Sequence, residues 1–278
     1  MDHEHLVYTK DDGIATLRID RPQELNAFTW DMYGGLIDIV AEAAADDEVR
    51  VLVVTGTGRA FCVGADVRSL ESGFEDKSKL AAGAAGAGGA GRKKNAGPRN
   101  GRPTGHLTVL LQKMNKPVIA AINGIAAGGG LDAALACDIR IASDKATFSS
   151  VFVRRGIVPT MGGTYFLPRL VGLDKACELI WTGDLVDASE ALRIGLVTKV
   201  VPHDDLEAAT EELAVKLAKG PPLAIARSKG MIYKGLEMEL ERAMEDIMEA
   251  WVALSRTEDH REALSAFLEK REPVFRGK

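Results

Sequence analysis

The sequence predicts an α/β layered fold that gives way to a largely helical last third. Two observations carry this. Short runs rich in β-branched residues, Val51–Thr55, Val118–Ile122 and Ile139–Ala142, alternate with helical stretches as far as Leu173, the grammar of a layered α/β core. Beyond that point helical spacing takes over, near 174–181, 188–194, 204–219, 222–234, 236–254 and 258–270, and only Val197–Val201 reads as a strand.

Val7–Ile19 opens the chain as a hairpin, because Ala15, Leu17 and Ile19 alternate with polar residues and Asp11-Asp12-Gly13 supplies a turn. Thr29 suits the N-cap of a helix whose apolar residues Tyr33, Leu36, Ile37, Val40 and Ala44 recur at helical spacing. Late in the chain Leu240, Met244, Ile247, Met248 and Trp251 form a long apolar stripe, expected to pack in the core and wide enough to reach a neighbouring subunit as well.

Length and composition bound the function. With 278 residues, 46% of them apolar and 27% charged, the chain is long enough for a full hydrophobic core and has the make-up of a globular protein. The net charge of -5 supplies no broad basic field, so nucleic acid is not an expected partner. Cys62, Cys137 and Cys177 are widely spaced and lack the paired spacing of a zinc or redox site; they read as reduced packing residues, with no metal. Met1–Lys10 has no apolar signal region and no run is long and apolar enough for a membrane span. The expected location is the cytoplasm.

Ala81–Gly101 reads as a mobile glycine- and alanine-rich loop that offers no core-facing stripe. Gly86, Gly88 and Gly91 match G-x-G-x-x-G there, but no strand precedes them and alanine-glycine repetition produces such matches by chance. Arg92-Lys93-Lys94 reads as a solvated hinge, with a phosphate clamp as its alternative.

Two glycine-centred turns carry the chemistry. The first, Arg59–Val67, leaves N–H groups at Gly64 and Ala65 without helical partners; the second, Asn123–Asp132, contains Gly128-Gly129-Gly130 and allows a ligand close to the backbone. If the N–H groups of Ala65 and Gly129 converge, they form an oxyanion hole for charge developing on a thioester oxygen. Spacing alone fits tight helix-on-strand packing equally well.

The sequence resembles the enoyl-CoA hydratase/isomerase superfamily, the crotonase-like proteins. The resemblance rests on RPQELNAF at Arg21–Phe28, RAFCVGADV at Arg59–Val67 and KPVIAAINGIAAGGGLDAALACDIRIAS at Lys116–Ser143, and continues through RRGIVPTMGGTYFLPRLVG at Arg154–Gly172, ASEALRIGLVTKVV at Ala188–Val201 and the closing SAFLEKREPVFRGK. It implies a spiral of ββα repeats over residues 1–200 and a C-terminal helical region, 201–278, that packs homotrimers, often paired into hexamers. It implies that Ala65 and Gly129 supply the oxyanion-hole amides. Coenzyme A, part of the substrate rather than a separate cofactor, is then expected against Leu25, Ala27, Ala65, Asp66, Val67 and Gly129. Lys270 or Arg271 reaches its phosphates or is simply a helix-end charge.

The departures matter as much. Hydratases of the family carry glutamates at the positions of Asp132 and Phe152, and some isomerases and dehalogenases carry an acid at Thr160, after the proline matching Pro159. Phe152, Pro159 and Thr160 are therefore expected to line the substrate pocket. Asp132 is the one acid left at a catalytic family position, and replacing Glu by Asp withdraws the carboxylate by about 1.5 Å. His106 reads first as a surface histidine and second as a pocket residue. The resemblance implies a hydratase acting on a 2-enoyl-CoA with Asp132 as acid/base; the alternatives are a double-bond isomerase with Asp132 as proton shuttle, and an acyl-CoA binder without catalysis.

Overall fold

The computed structural model describes residues 3–68 and 106–278, and elements are numbered here along those residues. The Ala81–Gly101 loop, its glycine pattern and Arg92–Lys94 lie outside them. Leu6–Asp11 (β1) and Ile14–Ile19 (β2) pair as the predicted hairpin. Asp12 and Gly13 take φ of 42° and 80°, the two-residue turn whose twist matches antiparallel strands. Helix α1, Trp30–Ala45, begins where the Thr29 side chain accepts from the Met32 amide at 3.3 Å, as an N-cap should. Its buried face runs through Met32, Leu36, Val40 and Ala43. Ala44, expected in the stripe, is exposed, because the 3.6-residue period brings Ala43 under Val40 instead.

The remaining strands are Val51–Gly56 (β3), Ala60–Cys62 (β4), Val118–Ile122 (β5), Ile125–Ala127 (β6), Ile139–Ser143 (β7), Thr147–Ser149 (β8), Val186–Asp187 (β9) and Lys199–Val201 (β10). They form two sheets, a six-stranded one in the order β1-β2-β3-β5-β7-β10 and a four-stranded one in the order β4-β6-β8-β9. Each of β3, β5 and β7 therefore hands the chain to a short strand of the smaller sheet. After β6 and β8 come helices Gly129–Leu135 and, past a short 3-10 turn, Gly163–Val171. This is the repeated strand, strand, helix unit of the expected spiral. The smaller sheet was not foreseen, since strands of two or three residues are too short for period-two alternation to register.

The large sheet is apolar on both faces, as parallel sheets covered on both sides are. Leu52, Val54, Val118, Ala120 and Ile122 enter the main core, while the alternating Val51, Val53, Ile119 and Ala121 meet Leu206 and Ala214 of helix Leu206–Ala218. Numbered in order, the helices after α1 are Leu107–Lys113 (α2), α3 and α4 as given above, Leu173–Thr182 (α5), Ala188–Arg193 (α6), Leu206–Ala218 (α7), Pro222–Gly235 (α8), Leu240–Leu254 (α9) and Glu258–Glu269 (α10). The stripe of α9 departs from expectation. Leu240, Met244, Ile247, Met248 and Trp251 are all at least 40% exposed and only Ala250 of that helix is buried. Among the described residues no further layer lies over that face of α9, so its apolar residues find no core there.

One buried ionic cluster fastens α8 to the spiral. The Lys229 ammonium donates to Leu111 O (3.2 Å), Lys116 O (3.0 Å) and Asp138 Oδ2 (2.7 Å), and Asp138 also accepts from the Tyr233 hydroxyl and the Val118 amide. Burial pushes the Lys229 pKa down while Asp138 pulls it up. A lone buried ammonium is costly, so Asp138→Ala is expected to destabilise the fold by about 3–5 kcal/mol. Lys229→Met, which removes the charge along with its need for a partner, should cost clearly less. Chemical unfolding at one fixed protein concentration measures both.

Candidate functional site

The first turn, Val63–Asp66, runs beside Phe28 as a single parallel bridge. The Phe28 amide donates to Gly64 O at 2.9 Å, and the Asp66 amide donates to Phe28 O at 3.0 Å. Because the Gly64–Ala65 peptide is planar and trans, turning its carbonyl toward Phe28 turns the Ala65 N–H the opposite way. The second turn comes close: a Cβ on Gly64 would stand 2.8 Å from the Gly129 nitrogen. Covalent geometry then places the Ala65 and Gly129 nitrogens within about 6 Å of each other. Among the described residues neither N–H has a protein acceptor.

The three glycines of the second turn are required for distinct reasons. Gly128 has φ 51° and ψ −128°, a conformation that strains residues with a Cβ. Gly130 passes so near the backbone that a Cβ would lie 2.1 Å from Cys62 O. At Gly129 the added atom would meet Met161 Sδ at 2.8 Å and Phe28 Cζ at 3.0 Å. Those two side chains flank the glycine.

Asp132 lies three residues beyond Gly129, on the same face of α3, and is fully buried. Its Oδ2 accepts from the Met161 amide at 3.1 Å, while Oδ1 lies beside the Gly163 backbone without a hydrogen bond of full geometry among the described residues. Burial pushes its pKa up to about 7, and the amides of Gly163 and Met161 pull it back only in part. The acid is therefore poised between proton donor and acceptor near neutrality. Gly163 is the other wall: a Cβ there would sit 2.5 Å from Asp132 Oδ1 and 3.0 Å from Pro159 Cβ.

The expected pocket residues divide. Phe152 is buried, its ring tip 4.0 Å from where a Gly128 Cβ would be, and Pro159 is buried against Gly163, whereas Thr160 is exposed. Leu25 and Asn26 both take positive φ, 52° and 59°. That bend brings Leu25–Ala27 alongside the first turn, with the Val63 amide donating to Leu25 O at 3.3 Å. Ala27 is buried, Asp66 is held by Arg21 at 2.7 Å, and Val67 is 60% exposed.

One of the remaining expectations changes. His106 is not a lone surface residue: it is half-buried, its Nδ1 lies 3.0 Å from Thr108 Oγ1 and its ring meets the Tyr33 ring edge-on. Arg271 is already paired with Glu262 and Glu269 of its own chain, and Lys270, at the end of α10, takes the left-handed conformation. Cys62 keeps its packing role, its thiol pushed up to about 12 by burial and its Sγ accepting from the Gly64 amide. Sequence reasoning missed Phe28, Met161, Gly163 and Asn26. The Met161-Gly162-Gly163 run was the available signal for two of them, since paired glycines ahead of an apolar helix mark a close approach.

Comparison with known proteins follows the same lines. The family model described as enoyl-CoA hydratase/isomerase matches residues 9–278. The chain is 36% identical to the crotonyl-CoA hydratase of Syntrophomonas wolfei, covering 99% of each chain. It is also 36% identical to the short-chain-enoyl-CoA hydratase of Clostridium acetobutylicum, covering 98% of this chain and 97% of that one. The crystal structure of an enoyl-CoA hydratase from Bacillus anthracis superposes with a TM-score of 0.88 at 31% identity, covering 99% of this chain and 100% of that one.

The raised pKa of Asp132 has a thermodynamic consequence. Its pKa is about 7 in the folded state against an ordinary 3.8. The stabilisation from holding this proton is therefore complete below the ordinary value and is lost as pH rises toward neutrality. Asp132→Asn has no charge to bury. Its melting temperature relative to the parent is expected to rise between about pH 5 and about pH 8, which thermal scans across that range measure.

Proposed function

Because the chain belongs to the enoyl-CoA hydratase/isomerase family, we propose that it adds water to a 2-enoyl-CoA thioester, with Ala65 and Gly129 gripping the carbonyl oxygen and Asp132 moving the protons. The observation that carries this reading is the meeting of the two glycine turns one helical turn from a buried acid of raised pKa. Attack of water at C3 pushes an electron pair through C2 onto the thioester oxygen. There the two amides receive the charge as it forms, and removal of one such donor typically costs about 2.7–4 kcal/mol of transition-state stabilisation. The enolate then takes a proton at C2. Asp132 in its anionic form accepts a proton from the attacking water and in its neutral form returns one, both directions being open to a group with a pKa near 7.

Coenzyme A is assigned to the backbone of Leu25, Ala27, Ala65, Asp66, Val67 and Gly129, and the acyl group to the side bounded by Phe152, Pro159 and Thr160. No cofactor beyond the thioester enters. The exposed apolar face of α9 supports a homotrimer or hexamer built through residues 201–278, with 1–200 as the catalytic spiral and α7 folded back beneath its sheet. Among the described residues no helix is long and apolar enough to cross a membrane, and a cytoplasmic setting is proposed.

Phe152 favours a second reading. Where the resemblance puts a second carboxylate, this chain has a buried ring, which leaves Asp132 as the one acid at the family positions named above. One carboxylate suffices to carry a proton between C4 and C2, so double-bond isomerisation is the alternative. An acyl-CoA binder without catalysis is the third.

Absorbance of the conjugated thioester separates all three. Hydration consumes it from 2-enoyl-CoA, isomerisation creates it from 3-enoyl-CoA, and tight binding with neither change identifies the binder. Asp132→Ala is expected to lower kcat/KM by about 10²–10⁴-fold. In the parent enzyme kcat/KM should climb with pH through an apparent pKa near 7, as Asp132 loses its proton and becomes a base. A profile flat from about pH 5 to about pH 8 removes Asp132 from that role.

A further inference from the structure

The Phe28–Ala65 bridge sets the direction of one proposed oxyanion donor, and a side-chain ion pair grips the bridge from both strands. Arg21 Nη1 lies 2.7 Å from Asp66 Oδ2, directly after Ala65, and donates to Ala27 O at 3.0 Å, directly before Phe28. The pair is largely shielded, with 18% and 12% of the two side chains exposed. Its base is fastened too. The Arg21 amide donates to Asn26 Oδ1 at 2.9 Å, the Asn26 amide donates back to Arg21 O at 2.9 Å, and Asn26 Nδ2 reaches Thr57 O and Ala60 O. Asn26 is fully buried.

Arg21 thus spans the two residues next to the bridge partners. A rotation of the Gly64–Ala65 peptide that swung the Ala65 N–H off line would have to break the Phe28–Gly64 hydrogen bond and drag Asp66 away from the guanidinium. Phe28 is also the ring that would meet a Cβ on Gly129 at 3.0 Å. Movement at this bridge is therefore felt at both amides.

We propose that Arg21 and Asp66 are a positioning pair for turnover: their ion pair holds the Phe28–Ala65 bridge in register and so aims the Ala65 N–H at the thioester oxygen. The proposal rests on the oxyanion reading above. The pair grips the residues on either side of the bridge, and so acts through the amide direction. Loss of aim by about 1 Å costs up to about a hundredfold in rate while leaving ground-state contacts largely in place.

The test compares Asp66→Asn, Arg21→Met, the double variant and Arg21→Lys with the parent. It reads kcat and KM, together with the carbonyl stretch of bound butyryl-CoA labelled with carbon-13 at the thioester. Asp66→Asn keeps the shape and an oxygen for the Arg68 amide, which now donates to Asp66 Oδ1 at 2.9 Å, so it is the variant expected to stay folded. Both single variants should lose about ten- to a hundredfold in kcat with KM changed by no more than about threefold. Their carbonyl stretch should move back toward that of free thioester. The double variant should be no worse than either single one, as coupled groups behave, and Arg21→Lys should recover much of both signals. Parent-like kcat and carbonyl frequency in Asp66→Asn overturn the pairing, as does a loss confined to KM. A parent protein that leaves the carbonyl stretch of bound thioester unshifted sinks the oxyanion reading itself, and the pairing with it.

Discussion

Two backbone turns that follow neighbouring strands of the small sheet approach each other with no side chain between them, and the rest of the site is organised around that contact. Gly130 against Cys62 and Gly64 against Gly129 leave no space for a Cβ, so the small sheet can bring β4 and β6 side by side only because those positions are bare. The consequence is electrostatic. Peptide groups at the ends of short strands keep N–H groups with no ladder partner, and at Ala65 and Gly129 these groups emerge within reach of one another. Rigid backbone dipoles of this kind need no reorganisation when charge appears beside them. That is why a proposed site with so little side-chain chemistry is compatible with difficult proton chemistry.

The acid follows from the same crowding. Asp132 is carried inward by α3, and the bare positions at 129 and 163 admit Phe28 and Met161 on one side and the Asp132 carboxyl with Pro159 on the other. Desolvation then disfavours its anion more than the Met161 and Gly163 amides favour it. A shorter side chain than glutamate places this carboxyl nearer the backbone of α3 and against the start of α4. For the proposed reaction its reach is correspondingly less, a disadvantage for placing a water and a smaller one for moving a single proton.

Farther from the site, the C-terminal helices divide into a buried and an unsatisfied part. The ion cluster at Lys229 and Asp138 ties α8 to α2, to the start of β5 and to the residue that leads into β7. The face of α9 has no such partner among the described residues and leaves Trp251 61% and Leu240 71% exposed. An apolar stripe of this width is ordinarily covered in a native assembly.

The sequence by itself determined the hairpin at Asp12-Gly13, the Thr29 cap, the parallel core strands and the two glycine turns, because each depends on residues close together in the chain. Turn chemistry, capping and hydrophobic period are local physics, and they survive being read one residue at a time. Only the tertiary structure decided that Gly64 would face Gly129, that Met161 would hold Asp132, that the Ala44 position would turn outward and that the α9 stripe would find no core. Those outcomes depend on which surfaces meet across more than a dozen residues of sequence, and a hydrophobic period specifies that a face is apolar without specifying what covers it. The acidity of Asp132 belongs to the second group for the same reason: a carboxyl group acquires its pKa from the water it loses, and how much it loses is settled by packing.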